Sequence, residues 1–341
     1  MITFLGTEDG IRSIRANHPM VDPATRDRIE VDTYRDAVRR SDWYGGAIIF
    51  GDLERLYASE LPDVVELWQR LSQASVPVRL LNNPAQTLRR FALLRKLQTL
   101  GINDFDVWRA DEMRPGIRFP VFLRGERDHN GPLSPLLNDR TELDEAVAAL
   151  AERGIALNLV LVVEFCETCS PDGLYRKMGT FRVGERFINR NIFYCSNWCV
   201  KGTGDPIDAR HSRTAMMDEE EAFIFDAEIP TTIPEIFRLA AIDYGRIDYA
   251  LQDGRIRVWE INTNPVLGDP ATNHPGIERF DRYVGRSYIR MQETLLALDP
   301  DCDDQPFWID PVRAPRTVVA VGASRRRAAV GGGWRERLLR R

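Results

Sequence analysis

The sequence predicts an α/β protein in two unequal parts, a small parallel layer followed by a larger mixed α+β region. Two short apolar runs at 46–50 and 78–81 flank an amphipathic stretch, so the first part reads strand, helix, strand. From Phe119 onward the texture changes to strands and hairpins punctuated by Gly and Pro. At 341 residues the chain exceeds one typical domain of ~100 to 200 residues, so two or three packed units are expected.

In the first layer, 46–50 is the buried-strand candidate. The helix after it places Leu53, Leu56, Leu61, Val64, Leu67, Trp68 and Leu71 on one face, and Pro77 leads into the second strand. Asn82-Asn83-Pro84 closes that strand and opens a helix over 85–100, which Gly101 terminates. Residues 1–83 thus read as a small Rossmann-like α/β domain. In the second part, 84–300, a strand at 119–124 and a polar loop at 125–135 precede a helix capped by Thr141 and Asp144. An apolar strand follows at 157–165, then a hairpin of 175–183 and 186–191 turning at Gly184-Glu185. Residues 205–234 read as polar and irregular, and the acidic run Asp218 to Glu221 as a solvated helix face. A helix at 234–244, a hairpin at 246–261 and an amphipathic helix at 276–298 complete the region. The extension 301–341, rich in Asp and Pro and then in Arg and Gly, is expected to be largely disordered.

Composition narrows the function classes. With 43% hydrophobic residues, 28% charged and a net charge of -5, the chain shows no basic block before its end, which excludes nucleic acid as an electrostatically favoured partner. No apolar stretch approaches the ~18 residues of a membrane span, and Glu8 and Asp9 stand where a secretory signal needs a basic flank. Five cysteines, an odd number, suit a reducing compartment, so a cytoplasmic protein is expected. Cys166-x-x-Cys169 and Cys195-x-x-x-Cys199 admit a four-thiolate zinc site. Cys166 continues an apolar strand, however, and the second pair lacks a Gly-rich knuckle, so buried thiols are the expectation. Histidines 18, 129, 211 and 274 have no spacing that suggests a metal site or a triad. The oligomeric state is left open, a homodimer included.

The most informative stretch is 245–265. Strand alternation sets Arg246, Asp248 and Ala250 against Ile247, Tyr249 and Leu251, and Val258, Glu260 and Asn262 against Trp259 and Ile261. A two-residue loop at Asp253-Gly254 would place the two polar sets on opposite faces. A three-residue loop at 252–254 aligns them and brings both apolar sets together, so three residues are expected. Asp248 then lies diagonal to Glu260, roughly 7 Å away, a gap that a hard divalent cation bridges. Oxygen ligands without His or Cys suit Mg²⁺.

Arg246-Ile247-Asp248, a hairpin, then Glu260-Ile261-Asn262-Thr263-Asn264-Pro265 resembles the metal-binding end of the ATP-grasp ligases, in a pattern similar to that of D-alanine:D-alanine ligases. The resemblance spans roughly 83–265 and implies an ATP-grasp fold behind an N-terminal Rossmann-like pre-ATP-grasp domain. It implies two Mg²⁺ ions, or Mn²⁺, on Asp248, Glu260 and Asn262, and an acyl-phosphate steadied by Arg246. A hinge strand near 159–166 would place adenine against Glu164, Phe165 and Cys166, with ribose on Glu164 or Glu167. Arg90 and Arg124 fall at the two phosphate-binding positions where the family carries Lys, a departure because a planar fork is not a point charge. The loop 125–131, with Glu126, Arg127, His129 and Asn130, matches the mobile segment that closes over phosphates. Lys177 and Arg190, and behind them Lys201, are the further nucleotide-facing candidates. The implied reaction is ATP-dependent activation of a carboxylate, on a small molecule or a peptide, as an acyl-phosphate that an amine or similar nucleophile attacks. A degenerate nucleotide-binding protein and phosphoryl transfer to another acceptor are the alternatives.

Overall fold

The structure, a computed structural model, describes residues 1–17, 23–200, 207–208, 210–265, 278–299 and 305–314. Its N-terminal layer runs β1 (Ile2–Gly6), α1 (Glu8–Asn17), α2 (Pro23–Arg26), β2 (Ile29–Thr33), α3 (Tyr34–Ala37), β3 (Asp42–Tyr44), β4 (Gly46–Phe50), α4 (Leu61–Leu71) and β5 (Val78–Leu81). Strands β2-β1-β4-β5 form a parallel sheet. Sequence reading anticipates β4 and β5 and misses the other two: β2 carries Glu30 and Asp32, which mask its alternation, and β1, Ile2–Gly6, is buried throughout but is not singled out. Leu5, Ile48 and Phe50 pack on one face with Val64, Leu67 and Leu71 of α4. Ile2, Phe4, Ala47 and Ile49 fill the other face, as burial on both sides of a parallel sheet requires. Helix α4 begins at Leu61 behind Pro62, so Leu53 and Leu56 are buried from the preceding loop rather than from the helix.

Next come α5 (Arg90–Thr99), β6 (Val107–Arg109), β7 (Val121–Gly125), α6 (Arg140–Glu152) and β8 (Val160–Glu164). Strands β6-β8-β7 form an antiparallel sheet covered by Leu143, Val147 and Leu150 of α6. Helix α5 starts later than expected, because Gln86 N and Thr87 N both bond to Asn83 O in a separate turn. The cap of α6 is Asp139, whose carboxylate accepts from Glu142 N at 2.9 Å, rather than Thr141, which lies inside the first turn.

The last part comprises β9 (Tyr175–Val183), β10 (Arg186–Cys195), α7 (Arg213–Phe225), α8 (Thr232–Ala240), β11 (Tyr244–Gln252), β12 (Arg255–Asn262), α9 (Glu278–Leu296) and β13 (Pro306–Trp308). An antiparallel sheet of order β10-β9-β11-β12 packs its Ile247, Tyr249 and Val258 against α7, α8 and α9. The segment expected to be irregular holds α7, capped by Ser212, and Glu220 of its acidic run is buried, accepting from Ile192 N and from Tyr283 OH at 2.6 Å. Met291, Leu295 and Leu298 meet Phe4, Ile49, Phe181 and Tyr244, so α9 joins the parallel sheet to the antiparallel one. Asn82 tightens the same junction: its amide donates to Phe50 O and Tyr244 O and accepts from Asp243 N and Tyr244 N.

Ten residues of the C-terminal extension, 305–314, are described. Strand β13 pairs with β3, Phe307 enters the core beside α4, and Arg70 Nη1 donates to Asp310 O at 2.7 Å. Residues 305–314 are therefore an ordered strap, while 315–341 lie outside the described residues. No described helix is long and apolar enough to cross a membrane. Truncating Phe307, 2% exposed, leaves a cavity in the N-terminal layer. Phe307→Ala is expected to lower unfolding free energy by about 3 to 5 kcal/mol in urea titrations of the full chain, whereas a disordered extension predicts no change.

Candidate active site

The hairpin β11–β12 reaches the expected alignment by a different route. Its loop has two residues, Asp253 and Gly254, with φ of 50° and 72°, the left-handed pair of a type I′ turn. That turn pairs Gln252 with Arg255 and Tyr249 with Val258, which on its own would set Asp248 opposite Trp259. A bulge at Trp259 adds one residue to β12, and Asp248 then faces Glu260, Ile247 faces Ile261 and Arg246 faces Asn262. The carboxylates are thus direct cross-strand neighbours rather than a diagonal pair. The bulge also corrects the expected face assignment. Val258 packs in the core beneath the sheet, whereas Trp259 turns with Glu260 into the cleft above it.

That cleft, about 910 Å³ with the open space at its mouth included, lies between the β6-β8-β7 sheet and the β10-β9-β11-β12 sheet. Arg124 comes from β7, Glu164 to Cys166 from the end of β8, Lys177 from β9, Asp248 from β11 and Glu260 from β12. Phe122, Phe165 and Trp198 make its apolar wall, with Trp198 5.0 Å from Phe122 and 6.0 Å from Phe165 between ring centroids. Gly179, opposite Asp248, leaves the space that a side chain would take: a carbon there would lie 3.1 Å from Arg246 Cδ.

Both carboxylates are matched by cations. Arg246 grips Asp248 with Nε at 2.6 Å and Nη2 at 3.0 Å, and Lys177 Nζ stands 3.8 Å away. Glu260 accepts from Arg90 and, at 3.2 Å, from Arg124. Burial alone would raise the Glu260 carboxyl, yet Arg90, His129 and Arg124 hold it well below the usual carboxylate range. Burial, aided by Arg90, pushes the Arg124 guanidinium down to about 10. The Asn262 side-chain oxygen accepts from Asn264 N at 2.8 Å.

Several candidates sit where the structure assigns them other contacts. Arg90 donates through Nη1 to Gly125 O, Glu126 O and Asp128 O, each at 2.9 Å, so it anchors the 125–131 loop instead of lining the cleft. Arg109 pins Glu126 of the same loop at 2.6 Å. Glu164, 3% exposed, has both oxygens taken by Asp106 N and by the backbone and side chain of Arg118, which leaves it a structural cap rather than a ribose acceptor. Phe165 N donates to Pro120 O, so this backbone group is also engaged. Glu167 is turned to Cys169 N and Tyr175 OH. Arg190 is the extra residue where the β9–β10 register shifts, and it packs on α9 through Ser287 Oγ at 2.9 Å and the Tyr288 ring, away from the cleft. Lys201 lies outside the described residues. Cys166, Cys169, Cys195 and Cys199 are not disulfide-bonded, and among the described residues no three His, Cys, Asp or Glu side chains form a metal cluster. Burial and Asp104 push the Cys166 thiol up to about 11.

Sequence reading names His129 only as part of the 125–131 loop, setting it aside as a metal or triad residue, and does not single out Glu54. The His129 ring lies between two carboxylates, 3.4 Å from Glu54 Oε1 and 3.7 Å from Glu260 Oε1. Glu54 is buried and also accepts from the backbone and hydroxyl of Thr263, the residue after Asn262. Neither position carried a spacing signal, because residues 54, 129 and 260 meet only through the tertiary fold. A second cleft, about 1440 Å³, opens at the C-terminal ends of β1 and β2 and is bounded by Thr7, Arg55, Tyr57, Arg127 and His129. Burial disfavours the imidazolium, but Glu260 and Glu54 raise His129 to about 9. A raised folded-state value stabilises fully below the unfolded value near 6.5, and the contribution is lost as pH climbs through about 9. In metal-free buffer, stability is therefore expected to fall by up to about 3 kcal/mol between those limits, and His129→Gln should flatten that slope in denaturant titrations at stepped pH.

No family model matches the chain, and no curated relative does. Among solved structures it is similar to D-alanine–D-alanine ligase from Bacillus anthracis complexed with ATP, at a TM-score of 0.46 and 13% identity over 86% of this chain and 98% of that one. It is similar to D-cycloserine synthetase DcsG at 0.44 and 16%, over 85% and 100% of the two chains. The VanG D-Ala:D-Ser ligase from Enterococcus faecalis follows at 0.46 and 14%, over 87% and 98%. These neighbours are ATP-grasp enzymes, the superfamily that the hairpin motif resembles.

Proposed function

We propose that this chain is an ATP-grasp ligase that activates a carboxylate with ATP. The observation that carries the reading is the bulge-set pair Asp248 and Glu260, facing a cleft whose far side is aromatic and whose near side is cationic. Adenine is assigned to the wall of Phe122, Phe165 and Trp198, and the phosphates to Arg124 and Lys177. Two carboxylates and the Asn262 amide oxygen are hard donors that fit Mg²⁺. Their present partners are side-chain cations rather than backbone groups, except at Asn262. When bound, the ion supplies positive charge against the phosphate oxygens.

The protein's own part is positioning. The cleft holds the triphosphate with its terminal phosphate toward the second cleft, where the acid and the amine are assigned. The bond from the γ-phosphorus to its bridging oxygen breaks as the carboxylate oxygen bonds to phosphorus, which yields ADP and an acyl-phosphate. The amine then attacks the acyl carbon and inorganic phosphate leaves. Arg124 and Arg246 stabilise the charge that develops. No covalent residue takes part. The thiols support a reducing, cytoplasmic setting. The commitment of Arg90 to loop carbonyls favours one second reading, a nucleotide binder without turnover.

ADP release measured across panels of carboxylic acids and amines decides between the two. Glu260→Gln is expected to lower turnover by at least about 10²-fold while the far-ultraviolet spectrum stays unchanged. Undiminished ADP production in that variant would sink the ligase reading.

A further inference from the structure

Among the described residues, His129 is the one that borders both clefts, the cleft between the sheets and the cleft at the ends of β1 and β2. It is placed there from two sides. Arg90 holds the carbonyls of Gly125, Glu126 and Asp128 immediately before it, so its stretch of backbone is fixed. From the N-terminal layer, Glu54 faces the ring at 3.4 Å. Glu54 is held in turn by Thr263 N at 3.2 Å and by the Thr263 hydroxyl, which also accepts from Leu53 N at 3.0 Å. The ring's other nitrogen stands 3.7 Å from Glu260.

We infer that His129 is a further catalytic residue, a donor that touches the group passing from the nucleotide cleft to the acceptor cleft, and that Glu54 is its positioning residue. The inference rests on the ligase reading. A ring between two carboxylates gains a new partner when either one turns to another. If Glu260 engages a cation, the nitrogen now facing it points into the passage between the clefts, while Glu54 keeps the ring from swinging away. Glu54 suits this task because it is buried in the turn after β4 and both its oxygens are held by Thr263, through N and Oγ1, so it does not move with the nucleotide. A loop residue pinned at both its backbone and its ring is pre-organised, and losing such a donor costs more in turnover than in substrate affinity.

The test compares the wild-type chain with His129→Ala, His129→Gly and Glu54→Gln, using Mg-ATP as the probe. ADP formation gives kcat and KM, and a fluorescent ADP analogue gives affinity without turnover. His129→Ala is expected to lower kcat about 10²-fold with analogue affinity within about threefold of wild type. Free imidazole should restore His129→Gly at least about tenfold, which a merely structural role would not allow. Glu54→Gln keeps an acceptor for Thr263 and weakens the grip on the ring, so kcat should fall about tenfold at unchanged affinity. A wild-type kcat in His129→Ala, or a loss mirrored by lost affinity and unresponsive to imidazole, overturns the inference. A wild-type chain that neither binds the analogue nor cleaves ATP overturns the ligase reading itself, and this inference with it.

Discussion

The site depends on one added residue in one strand. Without the bulge at Trp259, the type I′ turn would put Asp248 opposite Trp259 and send Glu260 into the apolar layer beneath the sheet. Burying a carboxylate among Ile247, Tyr249 and Val258 would cost several kcal/mol with no cation in reach. The bulge satisfies two demands at once. It keeps the tight turn that matches the strand twist, and it returns Ile261 to the core while Glu260 joins Asp248.

Charge balance follows from that placement. Two buried carboxylates side by side repel, so the fold surrounds them with Arg246 and Lys177 on one and Arg90 and Arg124 on the other. Replacing Lys by Arg at positions 90 and 124 then has a structural reading. A guanidinium reaches a carboxylate and a run of backbone carbonyls together, as Arg90 does with Glu260 and the 125–128 carbonyls, and a single ammonium lacks the spread of donors to do so. The loop that the resemblance makes a mobile lid is consequently tied down at its base. Of the two arginines, Arg124 alone lines the cleft, together with Arg176 and Lys177.

What could be read in advance was what repeats locally. Alternation and a Gly-containing turn exposed the β11–β12 hairpin, and apolar runs bounded by Gly and Pro exposed β4, β5, β8 and the β9–β10 hairpin. The bulge was hidden because a bulge has no compositional mark, and the three-residue loop was the simplest device that gave the same alignment. Strand β2 was hidden by Glu30 and Asp32, and α7 by a weak apolar pattern across its acidic run. Among the candidate residues, Arg124, Lys177, Asp248 and Glu260 line one cleft. Glu164 and Arg190 could not be judged from sequence, because a buried cap and a packed guanidinium look like ligands until Arg118 and α9 are seen beside them.

The N-terminal layer is more than a neighbour to this site. Thr263 and Asn264, which directly follow Asn262, are fastened to Leu53 N, Glu54 and Gly10 O. Gly51 and Gly10 leave the room: an added carbon at Gly51 would lie 3.0 Å from Thr263 O, and one at Gly10 would lie 2.9 Å from Asn264 Nδ2. The end of β12 is thus clamped by α1 and by the turn after β4, which follow the C-terminal ends of β1 and β4 at the edge of a parallel sheet where crevices and ligands gather. One clamp therefore fixes the height of Glu260 above the large sheet, the wall of the second cleft and the ring between them. Separating the two parts would loosen all three together. This coupling gives Thr263 and Asn264 a role of their own: they set where Glu260 and Asn262 stand.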